Sequence, residues 1–280
     1  MSYLLHDFIV EEHVKQALKE DIGFGDISTD YIEADGKSLK ATMNFREDGI
    51  LCGINIVKKV FEILDRNLKV TTFFKDGDKI LKGQDIATIE GNARAILTGE
   101  RLALNYIQRL SAIATLTAQY QEILNPYKAN ITETRKTTPN FRIFEKYAVK
   151  IGGATPHRFS LCDCVMLKDN HIALCGGVTK AVETVRKHIS HTHKIEVETD
   201  TLEQVKEAIE CGVDIIMLDN MSVDTMKKAV EIIAGRAIVE ASGQINMKTL
   251  EDIAKTGVDV ISTSAITAKA GSLDIGLDIK

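Results

Sequence analysis

The sequence predicts an α/β protein whose second half is a parallel α/β barrel, preceded by a smaller domain that mixes helix with short strands. Two observations carry this. From Asn130 onward, apolar runs alternate with amphipathic stretches in a repeat of about 20 to 25 residues, and such units in series favour a closed barrel over an open sheet. The residues just beyond those runs are charged or polar, at the strand ends where a barrel gathers its chemistry. No Gly-x-Gly-x-x-Gly follows the first strand, and no Gly-rich loop ends in Lys-Ser/Thr. Dinucleotide and P-loop folds therefore lose their main support.

Composition sets the class. The 280 residues can form one large domain or two modest ones. With no Trp, 9 Phe and 6 Tyr, the core must rest on aliphatic residues and Met. A formal net charge of -5 argues against a nonspecific nucleic-acid binder, which needs a basic footprint. No apolar run is long enough to span a bilayer, and Met1–Asp7 lacks the layout of a secretion signal. The 5 cysteines are irregularly spaced, which suits reduced thiols and a cytoplasmic protein. Cys162 and Cys164 are expected on one face of a strand, as buried small hydrophobes. His188, His191 and His193 lack a complete metal-ligand set and read as a polar loop after a helix.

In chain order, Val10–Leu18 has helical spacing, and the stretch from Asp21 to Asp30 is a shaped turn with two glycines. A strand over Leu39–Phe45, a helix from Gly53 or Ile54 to Leu64 and a strand over Leu68–Phe74 follow. Turn signals then frame short strands at Lys79–Leu81 and Asp85–Ile89. Arg94–Gln119 is a long helical pattern with expected interruptions near Thr98-Gly99 and Ser111, and the domain boundary should fall near residues 110 to 130. Later strands end at Thr134, Leu167, Glu198, Asp219, Ala241 and Ile261. Helices intervene, one of them started by a Thr201/Gln204 capping box and stopped by Gly212.

That arrangement places Arg135, Lys136, Lys168, Asn170, Glu198, Asp219, Ser242 and Ser262 around one barrel mouth. Fixed cations on one side suit a small polyanion. Ser242-Gly243 and Ser264-Ala265 suit loops that present backbone N–H groups to a phosphate. Glu198 and Asp219 could bind sugar hydroxyls, hold Mg²⁺ or act as a base; spacing alone does not choose. A Schiff-base role for Lys168 in an aldolase-like barrel is weakened by Asp169 and the acidic mouth.

The same residues resemble the quinolinate phosphoribosyltransferase family over nearly the whole chain. The likeness runs through Gly25-Asp26-Ile27-Ser28-Thr29-Asp30, Glu100-Arg101-Leu102-Ala103-Leu104-Asn105, Thr134-Arg135-Lys136-Thr137-Thr138-Pro139 and His157-Arg158. It continues through Leu167-Lys168-Asp169-Asn170-His171, Glu196-Val197-Glu198, Leu218-Asp219-Asn220-Met221, Ala241-Ser242-Gly243 and the tail Ser262 to Leu277.

The resemblance implies an N-terminal α/β sandwich domain over 1–112 and an incomplete six- or seven-stranded α/β barrel over 113–268. A tail over 269–280 would pack back on the N-terminal domain. It implies Mg²⁺-dependent transfer of phosphoribosyl from phosphoribosyl pyrophosphate to quinolinate, with loss of CO₂, giving nicotinate mononucleotide for NAD biosynthesis. It also implies a homodimer or higher oligomer with shared active sites.

By resemblance, Arg101 (from the second subunit), Arg135, His157, Arg158 and Lys168 bind quinolinate, and Lys136 contacts a carboxylate or the pyrophosphate. Glu198 and Asp219 face the ribose and hold Mg²⁺ directly or through water, while Ser242, Gly243 and Ser264 seat the phosphate. The chain departs from the family's pattern with Glu133 for Asp, Thr155-Pro156 where Asn precedes His-Arg, Ser111-Ala112 for Ser-Gly, Ser264 for Gly and Ala268 for His. Those departures leave room for a related phosphoribosyltransferase with another aromatic acid, or for an inactive paralogue that binds a phosphorylated metabolite.

Overall fold

The structure, a computed structural model, describes residues 5–32, 34 and 36–279. The reading of Met1 to Leu4 lies outside the described residues. Contacts divide the chain into two units: Met1–Ala118 with Thr138–Gly153 and Ala270–Lys280, and Gln119–Thr137 with Ala154–Lys269. The division is not a single cut, because Thr138–Gly153, which carries the helix Arg142–Ile151, groups with the first unit.

The first unit is built on a four-stranded antiparallel sheet. Its order is Ile275–Ile279, Ser38–Phe45, Asp85–Asn92, Lys69–Thr72. Helices Asp7–Ile22 and Ile54–Leu64 pack against each other. The second buries Ile56, Val57, Val60 and Phe61, one helical face. Its orphan N–H groups are met by Asp76, whose Oδ1 accepts from the Gly53 and Ile54 amides at 2.9 and 3.0 Å.

The long helix corrects an expectation. It runs unbroken over the 32 residues Ala93–Leu124, with no interruption at Gly99 or Ser111. Gly99 is a packing residue: a Cβ there would lie 2.7 Å from Leu64 and 3.0 Å from Phe61. Ser111 is turned to the Cys52 amide, whose N–H it accepts at 3.0 Å. Neither role needs a break in the backbone.

The second unit holds six parallel strands ordered Asn130–Thr132, Val260–Ser262, Ile238–Ser242, Ile215–Asp219, Ile195–Thr199, Val165–Leu167. The first strand in sequence pairs with the last, and the remaining strands follow in reverse. Among the described residues no pairing joins Asn130–Thr132 to Val165–Leu167, so the barrel is incomplete there. Three helices start on side-chain caps: Thr201 and Gln204 form the predicted capping box, and Ser222 and Asn246 cap the next two.

One strand is shorter than expected. Val165–Leu167 excludes Cys162 and Cys164, because Asp163 closes a turn by accepting the Phe159 and Ser160 amides at 2.7 and 2.9 Å. Cys162 is exposed and Cys164 half-buried, so neither is a core hydrophobe. No helix is long and apolar enough to cross a membrane among the described residues.

Candidate active site

Strand alternation builds the site. Side chains two apart share a face, and Met166 and Lys168, Met217 and Asp219, and Glu240 and Ser242 line one cavity of about 730 Å³ together with Glu198 and Ser262. Register aligns them, since Glu198 sits beside Met217 and Met217 beside Glu240. The cavity lies within the second unit.

Eleven of the predicted residues meet there: Arg135, Lys136, His157, Arg158, Lys168, Glu198, Asp219, Ser242, Gly243, Ser262 and Ser264. Arg101 is not among the lining residues; it is exposed on the helix Ala93–Leu124. Asn170 is also exposed, in the helix Asp169–Cys175, outside the lining.

The lining has two poles. Arg135, Lys136, Arg158, Lys168 and Lys269 supply cations, while Glu198, Asp219 and Glu240 supply carboxylates. They meet where Lys168 Nζ lies 2.5 Å from Glu198 Oε2. The Arg158 guanidinium donates to the Cys164 carbonyl at 3.0 Å and contacts Met166 Sδ at 3.3 Å, which aims it. The Lys136 carbonyl accepts from Thr267 Oγ1 at 3.2 Å, tying its loop to the last strand's turn.

Gly243 meets two demands that exclude other residues. Its φ is +90°, and a Cβ would stand 2.2 Å from Asn220 Oδ1. Ser264 has φ -79°, an ordinary conformation, so a serine fits where the family pattern has glycine.

Beneath the mouth lies an acidic floor to which the sequence reading assigned no role. Glu133, Glu196 and Glu240 are buried, and His157 sits among them. His157 Nε2 is 3.3 Å from Glu240 Oε1 and 3.8 Å from Glu196 Oε2. The His157 amide donates to Glu133 Oε1 at 3.1 Å, and the Arg158 amide donates to His157 Nδ1 at 2.7 Å. Glu133, longer by one methylene than the usual Asp, thereby anchors the His157 backbone. Desolvation, then the charge of Glu240, pushes the Glu196 carboxyl up to about 8. Burial alone would lower the His157 pKa, but the carboxylates of Glu240, Glu196 and Glu133 together raise it. The signal for these acids was present: Glu196 is two residues before Glu198, and Glu240 two before Ser242.

Two places offer metal-type donors. Glu198 and Asp219 present hard oxygens at the half-open mouth, which suits Mg²⁺. His157, Glu196 and Glu240 bring ligand-type atoms within 4.8 Å of one another. Neither the His188/His191/His193 loop nor the cysteines form such a group among the described residues.

Comparison with known proteins points one way. Residues 26–111 match the N-terminal domain of quinolinate phosphoribosyl transferase, and residues 113–278 match its C-terminal domain. A probable nicotinate-nucleotide pyrophosphorylase (carboxylating) of Synechocystis sp. is 43% identical over 274 residues, 97% of this chain and 92% of that protein. Its Bacillus subtilis counterpart is 43% identical over 260 residues, 93% and 90% of the two chains. The crystal structure of NadC from Streptococcus pyogenes superposes with a TM-score of 0.94 at 41% identity, covering 99% of both chains.

Proposed function

Because the chain belongs to the quinolinate phosphoribosyltransferase family, we propose that its cavity performs that family's reaction. Phosphoribosyl passes from phosphoribosyl pyrophosphate to quinolinate, and nicotinate mononucleotide, pyrophosphate and CO₂ leave, a step of NAD biosynthesis. The observation that carries this is the two-pole lining, cationic along Arg135, Arg158 and Lys168, acidic at Glu198 and Asp219.

Each pole has a task. Quinolinate carries two adjacent carboxylates, and guanidinium groups bind such anions with directional paired hydrogen bonds. Arg135, Arg158 and Lys168 take them, with His157 beside Arg158 and Lys136 towards the pyrophosphate. The ring nitrogen's lone pair bonds to the anomeric carbon as the bond to pyrophosphate breaks. Positive charge on the sugar then grows, and Glu198 and Asp219 stabilise it more than the ground state. The resulting pyridinium accepts the electron pair of the breaking C–CO₂ bond, and a proton replaces the lost carboxyl. Ser242, Gly243 and Ser264 seat the 5′-phosphate on backbone amides. When bound at Glu198 and Asp219, Mg²⁺ would offset the charge of the pyrophosphate. No covalent attachment to the protein is needed.

A product assay with quinolinate and phosphoribosyl pyrophosphate tests this. Nicotinate mononucleotide and CO₂ should form, and chelation of Mg²⁺ should stop turnover. Preference for a monocarboxylic pyridine would overturn the choice of substrate, because such a ligand leaves part of the cationic lining without a carboxylate. Gly243→Ala should raise KM for phosphoribosyl pyrophosphate about tenfold, because the new methyl displaces Asn220 and strains a positive φ.

The proposal includes a cytoplasmic homodimer in which the exposed Arg101 of one subunit completes the cavity of the other. Arg101→Ala and Lys168→Ala proteins should each be inactive. Mixed and re-associated, they should recover about a quarter of wild-type activity, since half the dimers then hold one intact site. No recovery would place Arg101 in its own subunit's site or outside the site.

A further inference from the structure

The acidic floor poses a choice between a metal site and a proton-bearing contact. His157 Nε2 and the carboxylates of Glu196 and Glu240 stand close enough to hold a cation. Both Glu196 oxygens and Glu240 Oε1 are buried without a hydrogen-bond partner among the described residues. The backbone decides. A peptide N–H can only donate, so His157 Nδ1, 2.7 Å from the Arg158 amide, must be the accepting nitrogen. The imidazole proton then sits on Nε2, which leaves no lone pair there for a metal. An N–H directed towards buried carboxylates is what remains.

We propose that Glu240 and His157 are positioning residues for Arg158. Glu240 faces the Nε2–H of His157, Nδ1 of the same ring receives the Arg158 amide, and Glu133 anchors the His157 backbone from the other side. Arg158 is thereby held at both ends: its amide by the imidazole, its guanidinium by the Cys164 carbonyl and Met166. His157 acts through Arg158. The function of the chain rests on the reading above; the tautomer does not.

The test therefore has two readouts. Nitrogen-15 NMR of the imidazole should show the Nε2–H tautomer in the wild-type protein, and in Glu240→Ala the Nε2–H resonance should shift as the carboxylate facing it is removed. In steady-state kinetics Glu240→Ala should raise KM for quinolinate by about tenfold or more, because a misplaced guanidinium weakens its bonds steeply. KM for phosphoribosyl pyrophosphate should stay within about twofold. Glu240→Gln, whose amide oxygen can face Nε2–H as the carboxylate does, should keep the tautomer and most of the quinolinate affinity, and it serves if the alanine variant fails to fold. An Nδ1–H tautomer in the wild type would overturn the proposal. So would equal loss in Glu240→Gln and Glu240→Ala, or a KM change shared by both substrates. Absence of turnover with quinolinate, with the Nε2–H tautomer still present, would instead reject the functional reading alone.

Discussion

Arg158→Ala should lower kcat/KM for quinolinate by about 10³, equivalent to about 4 kcal/mol of transition-state binding, with most of the loss in KM. The side chain lines the cavity, and its guanidinium is already oriented by the Cys164 carbonyl and Met166, so little entropy is lost when a carboxylate arrives. Arg158→Lys keeps the charge without the planar fork, and should retain less than a tenth of the native activity, a shortfall of more than about 1.4 kcal/mol. The measurement is steady-state kinetics at saturating phosphoribosyl pyrophosphate. A fall confined to kcat, with quinolinate KM unchanged, would remove Arg158 from substrate binding.

At the other pole, Asp219→Asn and Glu198→Gln should each lower kcat by about 10²–10³ while quinolinate KM changes little. In the proposed reaction these carboxylates matter most when the sugar carbon is electron-poor, so their loss should be felt in the transition state. Glu198 has a second effect, because its carboxylate holds Lys168 at 2.5 Å. Glu198→Gln therefore also alters the lysine's setting, and the double variant should cost less than the two single losses combined. Independent, additive losses would show that the two acids do not act on one developing charge.

Much of this was legible in the chain. The βα rhythm after Asn130 specifies a parallel barrel, since alternation of apolar runs and amphipathic helices has few other buried solutions. Strand-end positions of Lys168, Glu198, Asp219 and Ser242 follow from that rhythm, and all four line the cavity. The Thr201/Gln204 capping box is local chemistry and formed as written.

What depended on distant neighbours was not legible. Gly99 looks like a helix breaker until Leu64 and Phe61 are brought against it. Cys162 has the alternation of a strand, but the Asp163 carboxylate captures two amides and turns the chain instead. Local periodicity determined the fold and the ring of charges at its mouth, because both depend on residues close in sequence. Only the tertiary structure decided which acids lie buried together, as Glu133, Glu196 and Glu240 come from separate strand regions. It also decided which way the His157 ring is used, because one backbone amide at 2.7 Å determines which of its nitrogens carries the proton.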